Sequence, residues 1–477
     1  MKNSLLFRAG IFLFVITLFS LPVKAQHNPS SQGVEFFLTF MKNGYRGCNG
    51  MGLNENLTVI VSAQRGCNVT VRNPRTGWST TRPVGANALL NITIPEMQAY
   101  MTTSEVVENK GLIVTATDTI SLFIANEATN SFDASFILPT PSLMEQYIVQ
   151  SFTPTTYPAL NCSGVTRSAF AIIATEDNTT VVITPRKATS GGHQANVPFL
   201  VTLNRGQSYQ VLSASSGDNG DLSGSLIVAR ECKRIAVFNG NVLTSVPNLD
   251  GGMDHIFEQA MPTAYWGKEF VVTSSSYRTG GDYVKITALE NNTQVRRNGT
   301  LLATLNAQNS HTFLQLSSPG SCFIETTKPA AVNLYQTTSS FDQSQLGDPS
   351  MVWISPIEQQ LKSITFGTFT AQNQTITVHR VNIVTRTADV GSMTLDGVDI
   401  SSEFSPVQGN ANYSFARVAI SAGTHTLRND VGFTAYVYGF GRVIGYAYSV
   451  GSSTFNLAGE IHVNNIPLSQ LDSNFFI

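Results

Sequence analysis

The sequence predicts an all-β protein built of tandem, repeated β-sandwich-like modules with little or no helix. Three observations carry this. Charged residues are only 13% of the 477-residue chain, about half the usual share, and uncharged polar residues, 37 Gly, 28 Phe and 14 Tyr take their place; that mixture suits pleated strands and tight turns. Short runs of alternating apolar and polar residues recur along the whole chain. Similar segments return with a period on the order of 100 residues, which is the size of one sandwich. A closed β-propeller-like array, with two four-stranded blades per copy, is the alternative arrangement of the same strands.

The N-terminus reads as a targeting segment. "MKNSLLFRAG" places Lys2 and Arg8 before the apolar run "IFLFVITLFSLPV", and "VKA" ends at Ala25 with small residues suited to cleavage. Residues 1–25 are therefore expected to be a signal peptide, with Gln26 the first mature residue. The apolar run falls short of the ~20 residues that span a bilayer, so no membrane span is expected after its removal. The expected location is outside the cytoplasm: periplasm, outer-membrane surface or secreted.

The repeats follow. "RSAFAIIATEDNTTVVITP" and "GDYVKITALENNTQVRRNG" align, and "NENLTVIVSAQRGCNVTVRNP" is a weaker third copy. Each reads as strand, Asn-rich turn, strand, the pattern of a hairpin. A second element follows ("LLNITIPEMQAYMT", "FLVTLNRGQSYQVL", "LLATLNAQNSHTFLQL", "ARVAISAGTHTL"). A third comes next ("GLIVTATDTISLFIAN", "GSLIVARECKRIAVFNG", "SCFIETTKPAAVNLYQ", "VGFTAYVYGFGRVIGYAYSVG"). After the third element the chain reads as a loop reaching a proline, at Pro139, Pro262 and Pro356. "PSLMEQY" and "SPIEQQLKS" each suit one helical turn. The expected modules are 34–125, 133–245, 254–340 and 348–450, followed by a short tail, 451–477.

Chemistry is sparse by comparison. A net charge of −2 with no basic block gives no footprint for nucleic acid or anionic membrane. The five cysteines of an exported chain suggest disulfides: Cys48 with Cys67 and Cys162 with Cys232, leaving Cys322 buried. The seven histidines are scattered, and neither HExxH, GxSxG nor a phosphate loop occurs. The densest polar cluster is "DHIFEQAMPTAYWGKEFVV". Its Asp254, His255 and Glu258 form D-H-x-x-E, a weak metal pattern. The favoured reading is a joint between modules, in which Glu258 and Gln259 satisfy backbone groups and Trp266 packs across the seam. The corresponding seam "GDPSMVWISPIEQQLKSITFGTF" lacks the His and the first Glu, as a joint tolerates and a reaction centre does not. "DGGMD" (250–254) has calcium-like spacing without the rest of such a loop, and "TEDNTT" places Glu176 and Asp177 in a turn rather than across a cleft. No metal, cofactor or catalytic residue is assigned. "NGYRGCNGMGLN" (43–54) and "SSSYRTGGD" (274–282) are candidate recognition loops.

On "DHIFEQAMPTAYWGKEFVV", with "FAIIATEDNTTVVI" upstream, "CKRIAVFNGN" between them and "GYAYSVG" near the end, the chain resembles the IgGFc-binding domain family, in its exported, Bacteroidetes-type bacterial form. "GVEFFLTFMKNG" is similar to the opening of that domain. The resemblance runs from roughly Gln32 to Gly451 and implies a non-enzymatic binding or adhesion role, with a protein or glycoprotein ligand such as a mucus glycoprotein or an immunoglobulin. It brings no catalytic residues with it. Two other functions compete: a structural component of a bacterial surface assembly, self-associating through sheet edges, and, more remotely, a carbohydrate-active enzyme.

Overall fold

Residues 30–44, 56–156, 166–247, 252–307, 309–342, 344–372, 374–457, 462–463 and 466–467 are described by a computed structural model of the chain. One pairing scheme organises nearly all of them, and it occurs four times. In unit 1 the pivot is the 17-residue strand Leu112–Ala128. Its first part pairs with Gly33–Leu38 on one side and Cys67–Arg72 on the other, and Ser79–Val84 extends that sheet outward. Its second part pairs with Asn56–Ala63 and with Ser131–Ile137, and Ala88–Ile94 lies beyond Asn56–Ala63. The bent strand thus belongs to two four-stranded sheets that face each other as a sandwich.

Unit 3 repeats this around Ser321–Gln336 and unit 4 around Thr424–Gly441. In unit 2 the pivot is cut into Leu226–Ala229 and Ile235–Thr244, each in its own sheet. The cut falls at "RECKR", where Glu231 and Cys232 take left-handed backbone angles (φ 58° and 54°) that no strand accommodates. The core of each unit lies between its sheets: in unit 2, Phe170 and Ile172 meet Val181, Ile183 and Ile227, and in unit 3, Val284 and Ile286 meet Val295 and Ile324.

Two local expectations change. Ser168–Ala174 and Thr179–Thr184, read as a hairpin, lie in opposite sheets: the first pairs with Ser208–Leu212 and Ile235–Thr244, the second with Phe199–Leu203 and Leu226–Ala229. The tight turn, with Asn178 left-handed (φ 54°), arches over the core instead of folding one strand back onto the other. The same holds around Asn292 (φ 56°) in unit 3. The segments read as loops before the prolines are strands, namely Ser131–Ile137, Asp254–Gln259 and Ser350–Trp353, with Ile444–Ser449 the fourth of the kind. Each is the last strand of its unit and is buried along its whole length. The two turns expected near the seams are short 3-10 turns, Thr140–Ser142 and Ile357–Gln359.

These four exit strands close the molecule. That of unit 1 packs on that of unit 2, unit 2 on unit 3, unit 3 on unit 4, and unit 4 back on unit 1. The architecture is a closed ring of four sandwiches, with the sheet that carries each exit strand facing the axis. A second device repeats around the ring: the segment after the first strand of each unit lies on the inner sheet of the next. Lys42 and Gly44 of unit 1 donate backbone N–H groups to Gln210 Oε1 (2.9 Å) and the Val242 carbonyl (2.8 Å). In unit 2, Ser151 and Gln150 accept from Tyr335 OH (3.1 Å) and Thr287 Oγ1 (2.8 Å) of unit 3. The carbonyls of Thr273 and Ser274 of unit 3 accept from Tyr436 OH (2.6 Å) and Asn382 Nδ2 (3.2 Å) of unit 4. Gln372 of unit 4 donates its N–H to Glu127 of unit 1 (3.0 Å), and Phe369 packs on Phe123 (5.8 Å). The unit 4–unit 1 closure is aromatic: Tyr448 sits 4.9 Å from Phe123 and 4.8 Å from Phe369, and Tyr446 5.8 Å from Phe132.

Candidate functional site

The exit strand of unit 2 carries Asp254, His255, Glu258 and Gln259, all buried at the ring's centre. The strand has neighbours on both sides and both faces, so its side chains reach backbone groups of other units. Asp254 accepts from the Phe132 N–H (3.4 Å), and Asp133 of unit 1 accepts from the Phe257 N–H (3.1 Å). Gln259 takes both roles, its Oε1 accepting from the Leu138 N–H (2.5 Å) and its own N–H donating to Ser135 Oγ (2.8 Å). Glu258 accepts from the Trp353 N–H of unit 3, and the Ser449 N–H of unit 4 adds a weaker favourable interaction with the same carboxyl, so one carboxyl reaches three units. The His255 Nδ1 is 2.8 Å from the Asn241 carbonyl. Trp266 is buried, donates its Nε1–H to the Met261 carbonyl (3.3 Å) and lies 6.5 Å from Trp353 across the seam to unit 3.

Burial sets the electrostatics of this centre. It pushes Asp254 and Glu258 each up to about 8 and pushes Asp133 and Asp348 well above the carboxylate range, the Asp254 charge adding to the rise at Asp348. Burial drives His255 the other way, to about 4. No cation offsets the burial of Asp133, Asp254 or Glu258, and the Arg278 charge only partly offsets that of Asp348, so these carboxyls are held as neutral hydrogen-bonding groups. This chemistry is that of a joint. Asp250 of the "DGGMD" segment lies outside the described residues, and Asp254 is taken up by backbone donors.

Of the cysteines, Cys67, Cys232 and Cys322 are free thiols in the structure; Cys48 and Cys162, the partners expected for the first two, lie outside the described residues. Most of the loop 43–54 lies outside them too. In the other loop, Arg278 is buried and spent on Asp342 (3.0 Å), Thr337 (3.1 Å) and the Thr338 carbonyl (2.7 Å). Tyr277 and Thr279 are exposed, and the Arg380 guanidinium lies over the Tyr277 ring at 5.0 Å.

The open feature that sequence reasoning missed is a cleft of about 370 Å³ between units 2 and 3, a volume in the range of small-ligand sites. Unit 2 contributes Arg186, Lys187, Asp218 and Asp221, and unit 3 contributes His311 and Phe313. These positions are up to 127 residues apart (186 to 313), and no local motif links them. The base is a buried lock. Lys285 of unit 3 donates to Ser223 Oγ (2.6 Å) and the Ser151 carbonyl and faces Asp221 at 3.5 Å. Its ammonium also lies 4.9 Å from the Phe313 ring centre and 5.8 Å from that of Tyr335. Burial raises Asp221, but Lys285 and Ser223 outweigh it and hold the carboxyl below its usual value; burial also lowers Lys285, and Asp221 partly offsets that. Burial, reinforced by the Lys285 charge, lowers His311 to about 4. The walls meet at Gly224 (φ +86°), where a Cβ would lie 2.5 Å from the Asn309 carbonyl oxygen.

A family model described as IgGFc binding protein matches residues 133–439. No curated protein matches the sequence. Among solved structures, the chain is similar to an anti-sigma factor domain-containing protein from Clostridium clariflavum at 9% identity, over 84% of this chain and 99% of that one, with a TM-score of 0.12. It is also similar to the tetra-tandem repeat in the extending region of a large adhesion protein at 12% identity, over 82% of this chain and 92% of that one, with a TM-score of 0.09. Scores this low carry no structural argument.

Proposed function

The chain belongs to the IgGFc-binding family, and from that premise we propose that it is an exported, non-enzymatic binding protein whose ligand is a host or cell-surface macromolecule, a mucus glycoprotein or an immunoglobulin-like protein. The observation that carries this is the family match, which runs through units 2, 3 and most of 4. The architecture is compatible with it: a rigid closed ring presents loops, sheet edges and inter-unit clefts outward. A glycosidase needs two carboxyl groups flanking a sugar cleft, one of them held protonated. The strongly raised carboxyls among the described residues, such as Asp254 and Glu258, are buried in the ring centre, where no sugar reaches. No helix among the described residues is long and apolar enough to cross a membrane.

The test is binding of the chain lacking residues 1–25, immobilised on a sensor, to purified immunoglobulin Fc and to mucus glycoprotein. Saturable binding above that of an unrelated all-β protein supports the reading. Absence of binding to every extracellular glycoprotein offered overturns it.

One observation favours a second reading, self-association in a surface assembly. The outermost strands of units 2 and 3, Phe199–Leu203 and Thr300–Leu305, are unpaired on their outer side and expose Leu200 (55%), Leu301 (49%) and Leu302 (38%). Such an edge is a template for another strand. Concentration-dependent oligomers that Leu200→Lys together with Leu302→Lys abolish are the outcome this reading requires; a monomer at all concentrations removes it.

A further inference from the structure

We infer that the cleft between units 2 and 3 is a saccharide-binding site selective for an acidic sugar, one carrying a carboxylate or sulfate beside ring hydroxyls. The inference rests on the binding reading above and supplies the chemical class of group that would be recognised.

The lining holds two kinds of function side by side. Arg186 is exposed and Lys187 half-buried, adjacent in sequence just after the strand Thr179–Thr184. The Lys187 ammonium has no hydrogen-bond or ion-pair partner among the described residues, and the Arg186 guanidinium has only a long contact to Asn196 (3.4 Å). The two nearby acids do not cancel them. Asp221 is committed to Lys285 below the floor, which leaves Asp218 as the one uncommitted carboxylate against two cations. This excess fits one negative group on a ligand.

A plain anion would not need the remainder. Asp218 offers acceptor oxygens. Asn309 lines the same cleft, and its Oδ1, buried beside it, has no hydrogen-bond partner among the described residues, an acceptor whose desolvation nothing in the chain compensates. His311, neutral at pH 7, brings one donor and one acceptor. Acceptors in this number suit the O–H donors of a polyol. The half-buried Phe313 ring offers an apolar edge for the C–H face of a sugar; His311 packs edge-on to it at 5.2 Å and Phe152 at 5.6 Å, which fixes its position. The site is also preorganised. The Lys285 lock and the Gly224–Asn309 contact hold the two walls at one spacing, so little ordering cost falls on the ligand.

The experiment uses the chain lacking residues 1–25 and five probes: N-acetylneuraminic acid, glucuronic acid, galactose 6-sulfate, galactose and inorganic sulfate. Ligand-observed NMR titration is expected to give saturable binding of at least one acidic sugar, with Kd on the order of 1 mM, and at least tenfold weaker binding of galactose and of inorganic sulfate. Arg186→Ala combined with Lys187→Ala is expected to weaken the acidic sugar by at least tenfold with an unchanged thermal midpoint, since neither side chain takes part in the lock beneath. Asn309→Asp, which sets a negative charge in the cleft, is expected to weaken it as well. Equal binding of galactose and the acidic sugars, no binding of any sugar, tight binding of sulfate alone, or wild-type binding by the double variant each overturns the inference. Glycoprotein capture that survives in the double variant refutes the cleft while leaving the binding reading in place. Acidic-sugar binding by a chain that captures no glycoprotein supports the cleft and refutes the broader reading.

Discussion

Glu258 is the most informative single position, because its carboxyl reaches three units at once. Replacing it by Gln keeps the volume and removes the titration. In the folded ring burial raises Glu258 from an ordinary 4.5 to about 8. A carboxyl whose folded value lies above its unfolded one contributes stability that is fully present below pH 4.5 and is lost as pH rises through 8. The slope over that window is about 1.4 kcal/mol per pH unit, so the whole effect amounts to about 5 kcal/mol. Asp133, Asp254 and Asp348 move in the same direction. His255 opposes them, since it is held near 4 and costs stability as pH falls below 6.5. The clean window is therefore pH 6.5 to 8. Urea denaturation of wild type and Glu258→Gln across this window gives the test. The wild type is expected to lose stability as pH rises, and the difference between the two proteins to shift in favour of the variant by about 1 kcal/mol per pH unit. Parallel stability curves would show that Glu258 ionises as freely in the ring as in the unfolded chain, and the account of the seam would be wrong.

Three further substitutions probe separate parts of the ring. Lys285→Met leaves Asp221 buried without its cation and is expected to cost about 3–5 kcal/mol, most of it recovered when Asp221→Leu is added; urea midpoints of the single and double variants measure this, and an undiminished cost in the double variant would contradict it. Phe123→Ala empties the aromatic closure between units 4 and 1 and is expected to cost about 3–5 kcal/mol, with enhanced proteolysis at that seam; a wild-type melting curve would contradict it. Gly224→Ala forces a Cβ against Asn309 in a left-handed backbone conformation and is expected to destabilise by at least about 1 kcal/mol; a neutral result would mean the walls of the cleft can separate.

Much of the fold was legible because its strands obey period two and because the copies resemble one another. The third element of each repeat reads as strand, turn, strand, yet in units 1 and 3 it is one bent strand; in unit 4 the segment from Val431 is the end of the pivot, a turn at Arg442–Val443 and the exit strand. Only "RECKR" in unit 2 carries a true break in a pivot. Nothing in the residue types announces the left-handed pair Glu231–Cys232, because a short polar stretch looks the same whether a strand bends or stops. The arches around Asn178 and Asn292 read as hairpins for a similar reason: an Asn turn fixes local reversal, while the choice of partner strand is made by the core across 30 or more residues, as in Ala169 pairing with Leu212 and with Gly240. The exit strands of units 1, 2 and 3 read as loops because a strand buried on both faces loses its alternation, whereas that of unit 4 reads as a strand. Asp254, His255, Glu258 and Gln259 stood out by composition, and the structure sets them among backbone donors and acceptors of neighbouring units. The cleft had no signal at all. Arg186, Lys187, His311 and Phe313 are unremarkable in their own segments and acquire meaning only when two sandwiches meet.

The closed ring is the claim on which the seam chemistry, the latch segments and the cleft all depend, and small-angle X-ray scattering of the chain lacking residues 1–25 tests it most directly. Closure predicts a compact particle with a radius of gyration of about 22 Å and a single-peaked distance distribution. A string of four sandwiches joined end to end, each of about 13 Å radius, would give about 40 Å and a long tail in that distribution, and would contradict the account.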